Sequence, residues 1–342
     1  MLAGRIGVDV RSITAYEDGE FEPSAETRLV MSRILAFPRE FFEGPEIELP
    51  RTETASFRSL SKRTASQRDA ALAAGGLAFH LGDWIDQHFQ LPPVTLPRID
   101  QLDPEGASLA LRQRLGLGEQ PIRHLLKLLE AHGVRFFALG DIADEIDAFS
   151  LWRDDRPYVF LNTSKSAERS RFDASHELGH LILHRQGSPE GRQAEDEANA
   201  FGSAFLLPER GLRGSLPGMI TLPILLKLKR HWGVSAFAMA YRLNRIGVLS
   251  DWHYRTLCIE LAKRGFRTSE PDGGPRETSA VLEKITSMLR TRGMGLAQLS
   301  DELLLPIEEV KGLMLGLTTV AIDGGRSQPQ TARPTTKLRV VK

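Results

Sequence analysis

A single cysteine, Cys258, stands in 342 residues, so no internal disulfide can brace the fold and a reducing compartment suits the chain. Excess charge is missing too. Lysine plus arginine numbers 44 and aspartate plus glutamate 44, which gives no global pull toward nucleic acid and leaves any such binding to a local patch. No run approaches the roughly 18 apolar residues that a membrane span needs. Met1 is not followed by the charged, apolar and small-residue regions of an export signal. A cytoplasmic protein with no membrane partner is therefore expected. What is present is ordinary for a globular chain, 41% hydrophobic and 26% charged, and long enough for two or three domains.

Along the chain the pattern is α+β and predominantly helical. Residues 1–45 read as short helices punctuated by Gly7 and Gly19, and a Pro/Gly cluster at Gly44-Pro45 and Pro50 marks a boundary. A helical connector follows over 55–93, with Leu72, Leu77, Leu81, Trp84 and Ile85 at three- and four-residue steps. Leu91 to Pro104 reads as a linker. The main domain spans 105–270: a helix over 121–132, strands over 134–139, 148–152 and 158–161, and helices over about 170–185 and 192–207. Further helices are expected over 222–230, 235–245 and 253–264. A small helical module covers 277–318, and residues 324–342, basic and without an acidic residue, read as a disordered tail.

The chemistry concentrates in His176-Glu177-Leu178-Gly179-His180. On a helix, residues four apart project from one face about one turn apart, so the two imidazoles can converge on one divalent ion. Such an ion in an enzyme also takes a third protein ligand and a water. Glu177 leaves the helix about 100° away from His176. From there it can reach the attacking water instead of the ion and accept its proton. This is the physical content of H-E-x-x-H.

A third ligand must come from a second helix. His184 lies a further turn along and would stretch past the ion, so it reads as a surface residue or one that supports the site. Leu183 and Gln186 stand where the metzincin pattern needs glycine and histidine, which excludes that class. Glu195-Asp196-Glu197-Ala198-Asn199 opens the required helix. Glu195, Ala198, Asn199 and Gly202 share a face whose small members permit close approach to Gly179. Glu195 is the favoured ligand over Glu197, which points about 200° away and is expected to be solvated. Asn199 would orient a ligand from one turn on.

The segments Arg171-Phe172-Asp173-Ala174-Ser175-His176-Glu177-Leu178-Gly179-His180, Glu195-x-x-Ala198-Asn199-x-Phe201 and Leu206-Leu207-Pro208 together resemble the core signature of ImmA/IrrE-type metallopeptidases. The resemblance runs from about Ala148 to Leu249. It implies a gluzincin-like core, a small sheet plus the H-E-x-x-H helix, with one zinc ion on His176, His180 and Glu195 and Glu177 as general base. It also implies a protein substrate, a specific repressor whose cutting switches on genes of a mobile element or stress response.

The amino-terminal stretch Gly7 to Gly19, followed by Glu22-Pro23-Ser24, is similar to the recognition half of an XRE-type, phage-repressor-like helix-turn-helix. Asp9 is a suitable N-cap and Ile13 and Tyr16 are expected to face a core. Early residues of the second helix reach base edges in such modules, which makes Arg11, Ser12 and Thr14 the candidate DNA contacts. Two features depart from the pattern: the leading helix is missing, so the domain reads as truncated or completed otherwise, and basic residues are scarce around the helix. Stretches 231–243 and 299–313 share the rhythm but read as packed helix pairs.

These observations lead to a DNA-associated zinc endopeptidase that cleaves a repressor or antitoxin encoded nearby. A transcription regulator whose metal fold only senses or scaffolds is the alternative, and a toxin acting on a host target is a third. For the group that stabilises the developing oxyanion, Tyr158, Arg171, His231 and Tyr241 all remain open.

Overall fold

The computed structural model describes residues 2–51, 64–99, 102–140, 146–185 and 191–319, and the backbone of 339–340. At its centre lies a three-stranded sheet. Arg156–Leu161 is the middle strand, parallel to Arg135–Ala138 and antiparallel to Ala148–Arg153. Arg153 pairs with Arg156, so the hairpin turns on Asp154 and Asp155 alone. Both sit in the left-handed region, at φ 47° and 60°, the backbone a two-residue hairpin needs to match strand twist.

Strand alternation sorts the side chains of Ala148–Arg153 to two faces. Phe149 stacks on Phe160 at 4.3 Å and meets the long helix Ala65–His88 at Gly75. Arg153 reaches Asp83 of that same helix. Ser150 and Trp152 point the other way, toward the helix Ala167–Leu183, where they donate to the Glu177 and Leu181 carbonyls. The sheet is thus a wall between the long helix and the helix bearing the motif.

That motif helix starts where the sheet ends. The Asn162 carboxamide oxygen accepts from the backbone N–H and hydroxyl of Ser164, and Ser166 then caps the helix by accepting from the Arg169 N–H. A second helix, Arg192–Leu206, lies against it. Two glycines let them close. A Cβ on Gly179 would come within 3.1 Å of the Ala198 Cα, and one on Gly202 within 3.0 Å of the His176 backbone nitrogen. The helix Pro104–Arg114 packs on Arg192–Leu206 and also meets the motif helix; its first residue, Pro104, is the last of the expected linker.

Helices Leu222–Trp232, Ala236–Arg245 and Asp251–Lys263 follow, the first two joined through Gly233 at φ 65° as a packed pair. Helices Ala280–Thr291, Leu296–Leu303 and Ile307–Met314 make up the carboxy-terminal module. It is anchored by Glu130, whose carboxylate accepts from the Ser279 hydroxyl and from the backbone N–H groups of Ala280 and Val281. Trp84 of the long helix donates to Glu302 at 2.7 Å.

The amino-terminal helices are Leu2–Ile6, Val10–Glu17 and Ala25–Leu35, followed by a 3-10 turn Arg39–Glu43. Asp9 caps the second as expected, accepting from the Ser12 N–H at 2.7 Å. The expectation that Ile13 and Tyr16 face a core needs correcting. Both are half-buried, and among described residues 2–45 only Ala3 and Ile6 are buried. Phe37 and Phe41, which follow the third helix, pack against the main core.

The described residues differ from expectation in two places. The helix expected over 121–132 is Leu125–Ala131, capped by His124. Part of the connector, 55–63, lies outside the described residues, as does the tail 324–342 apart from Arg339–Val340. The backbone of that short segment pairs antiparallel with Phe89–Gln90, where the sequence reads as disorder. No described helix is long and apolar enough to cross a membrane.

Candidate metal centre

The two helices bring together the three residues expected to hold an ion. His176 Nε2 and His180 Nε2 lie 3.1 Å apart. The Glu195 carboxylate faces both, at 3.7 Å from His176 and 3.5 Å from His180. One donor atom from each of the three falls within 4.8 Å of the others. Nitrogen and oxygen ligands that sit roughly 2.0–2.1 Å from a tetrahedral ion are themselves about 3.3–3.5 Å apart. The donor chemistry and the spacing therefore fit a zinc-type ion.

Neighbouring groups aim these donors. His176 Nδ1 lies 3.0 Å from Asn199 Oδ1. A carboxamide oxygen only accepts, so Nδ1 carries the proton and Nε2 presents its lone pair to the site. Burial holds His176 below the usual imidazole range, despite the nearby carboxylates. His184, read from sequence as a surface or supporting residue, lies against the site, its Nδ1 3.0 Å from His180 Nδ1. Glu197 is not simply solvated. It is half-buried and accepts from His184 Nε2 at 2.9 Å, which holds its carboxyl below the usual range. The 200° offset from Glu195 that removes Glu197 from the ion directs it to His184 instead.

Glu177 is buried and lines the cleft beside His176 without joining the three donors. Its Oε2 accepts from the Ser150 hydroxyl at 2.7 Å, and the same hydroxyl lies 3.2 Å from the Glu177 carbonyl. Sequence reading does not single out Ser150, although a hydroxyl between Phe149 and Leu151 in an apolar strand is the signal that could have found it. Asp173, one turn before Glu177, also lines the cleft. Burial raises its carboxyl to about 6, against the pull of Lys165 at 3.0 Å.

The cleft itself, about 1310 Å³, runs along the motif helix between Arg192–Leu206 and a wall made by Phe237, Tyr241 and Arg245 with Phe266 and Arg267. Of the four candidates for oxyanion stabilisation, Tyr241 lines this cleft. Tyr158 lies on the opposite face of the sheet, packed on Phe79 and close to Gly82. Arg171 is committed to Glu277 and the Ile122 carbonyl. His231 is exposed and does not line the cleft. Arg11, Ser12 and Thr14 sit on the amino-terminal module, where Arg11 and Thr14 are exposed and Ser12 is half-buried.

A sheet wall, an H-E-x-x-H helix and a crossing helix that adds a glutamate define a metallopeptidase-type core. Residues 129–244 match the family model described as the IrrE N-terminal-like domain, Peptidase_M78, so this part of the chain is a domain of that family. The matched segment holds the whole sheet and both site helices, and the ImmA/IrrE resemblance is borne out there. The family implies a divalent metal, typically zinc. A comparison with curated proteins gives no match.

Proposed function

We propose that the protein is a zinc-dependent endopeptidase that cuts a specific partner protein, a repressor or antitoxin encoded nearby, and so switches expression of a mobile element, toxin-antitoxin pair or stress regulon. The observation that carries this reading is the convergence of His176, His180 and Glu195 at ligand spacing with Glu177 beside them in an open cleft. An ion bound there would polarise a peptide carbonyl and acidify water. The chain's own residues supply the rest. Asn199 and His184 hold the imidazoles in place, and Glu177, steadied by Ser150, takes the proton of the attacking water and returns it to the departing amine. A cleft of this size admits an extended segment of polypeptide rather than a single amino acid.

The amino-terminal helix pair supports a DNA-associated role in a cytoplasmic protein. The Asp9-capped helix presents Arg11 to solvent, in the position from which such helices read base edges. To test the peptidase reading, the purified protein is loaded with zinc and incubated with the product of an adjacent repressor gene. Two discrete fragments that disappear on chelation are expected. An intact substrate beside enzyme carrying one zinc per chain would contradict the choice of substrate, and a chain that takes up no zinc would contradict the reading itself.

A further inference from the structure

Glu197 and His184 lie outside the set of donors, yet they form an unbroken chain with one of them. Glu197 Oε2 is 2.9 Å from His184 Nε2, and His184 Nδ1 is 3.0 Å from His180 Nδ1. The His184 side chain is only 5% exposed, so water does not compete freely for these bonds. Each link fixes the next. A carboxylate only accepts, so His184 Nε2 carries a proton. A neutral His184 then has a bare Nδ1, which must accept, and the proton in that bond belongs to His180 Nδ1. His180 is left with its lone pair on Nε2, the atom that faces His176 Nε2 and Glu195. Gln193, donating to Glu197 Oε1 at 2.8 Å, holds the outer end.

We infer that Glu197 and His184 are positioning residues that set the tautomer and ring orientation of His180, doing through a second histidine what Asn199 does directly for His176. The inference rests on the zinc-site reading above. It gives His184 a role that its place in the helical i, i+4, i+8 series alone does not: too far along to be a ligand, it is one turn from a ligand and able to accept that ligand's outward proton. The two helices divide the work evenly. The motif helix supplies both imidazoles, and Arg192–Leu206 supplies Glu195 to the ion, Asn199 to the first histidine and Glu197 to the second through His184.

Zinc titration of the full chain against a competing chelator tests this, together with the ¹⁵N chemical shifts of His180 in the metal-free protein. His184→Ala should weaken zinc binding by about 10–100-fold and move His180 from a pure Nδ1–H form to a mixture of tautomers. His184→Gln offers a carbonyl oxygen to His180 and an amide N–H to Glu197, and should recover most of the affinity. Glu197→Ala should weaken binding by about 10-fold. A residue that merely packed between the helices would lower metal-free melting without moving the His180 tautomer. Unchanged affinity and an unchanged tautomer in His184→Ala would overturn the inference, as would a His184→Gln variant no better than His184→Ala or, should the alanine variant not fold, a Glu197→Ala variant unchanged in both readouts. Wild-type protein that binds no zinc would instead remove the reading on which the relay depends.

Discussion

Ser150 reaches Glu177 from a buried strand, holding one carboxylate oxygen at 2.7 Å. A hydrogen bond to a charged group contributes about 1.5–3 kcal/mol, and its loss would let Glu177, the proposed general base, swing. Ser150→Ala should therefore lower kcat/KM by roughly 10-fold or more while zinc content stays at the wild-type level; an unchanged rate would show that Glu177 is held by other contacts. The contrast with the motif explains what was legible. His176 and His180 are set by helix geometry within five residues, and Glu195 by a face of small residues, Ala198 and Gly202, that marks a close crossing. Ser150 and the Glu197–His184 pair depend on which strand and which helix turn come to lie opposite, and no local spacing encodes that.

Between elements, the closeness of the two site helices is the quantity that matters. At Gly202 an added methyl would meet the His176 nitrogen at 3.0 Å and the Ser175 carbonyl carbon at 3.1 Å, backbone atoms that cannot rotate away. Gly202→Ala should cost about 1–3 kcal/mol and weaken zinc binding by spreading Glu195 from the histidines. Gly214→Ala, which meets nothing within 4 Å, is the control, and equal melting temperatures for the two variants would contradict the close-crossing account. A second element-level device is the Glu130 anchor of the carboxy-terminal module. Burial raises this carboxyl from 4.5 to about 7, outweighing its bonds from Ser279, Ala280 and Val281. A carboxyl whose folded pKa lies above its unfolded one favours folding while protonated. Its contribution is full below pH 4.5 and is lost as the pH rises through about 7. Relative to Glu130→Gln, the wild type should lose on the order of 2–3 kcal/mol across that window, read by denaturant titration at each pH, and parallel curves would contradict it. Helix ends were less legible than helices. Pro104 reads as linker, but behind Asp103 it stands in the first turn of Pro104–Arg114, where a missing N–H costs nothing.

At the scale of the whole molecule, a sheet-backed metallopeptidase domain stands with a small helical module at its amino end and another beyond its carboxy end. The strand and helix pattern of the central part was readable because alternation and helical repeat both point to the same buried faces, as in Phe149 and Phe160 on one side of the sheet and Ser150 on the other. The amino-terminal module was less so, since its helices bury almost nothing for a periodic pattern to report. If it reads DNA through Arg11, Arg11→Ala should weaken binding to the operator by on the order of 1–3 kcal/mol with little effect on unrelated DNA; an equal loss on all sequences in a mobility-shift assay would reduce Arg11 to a phosphate contact. The central claim is hydrolysis by Glu177 beside an ion held on His176, His180 and Glu195. It is tested most directly by a cleavage time course of wild type and Glu177→Gln, with zinc content measured on the same samples. Glu177→Gln should keep its zinc and its binding to the substrate protein while cleavage falls by at least about 10²–10⁴-fold, and cleavage at the wild-type rate by the zinc-loaded variant would contradict the mechanism.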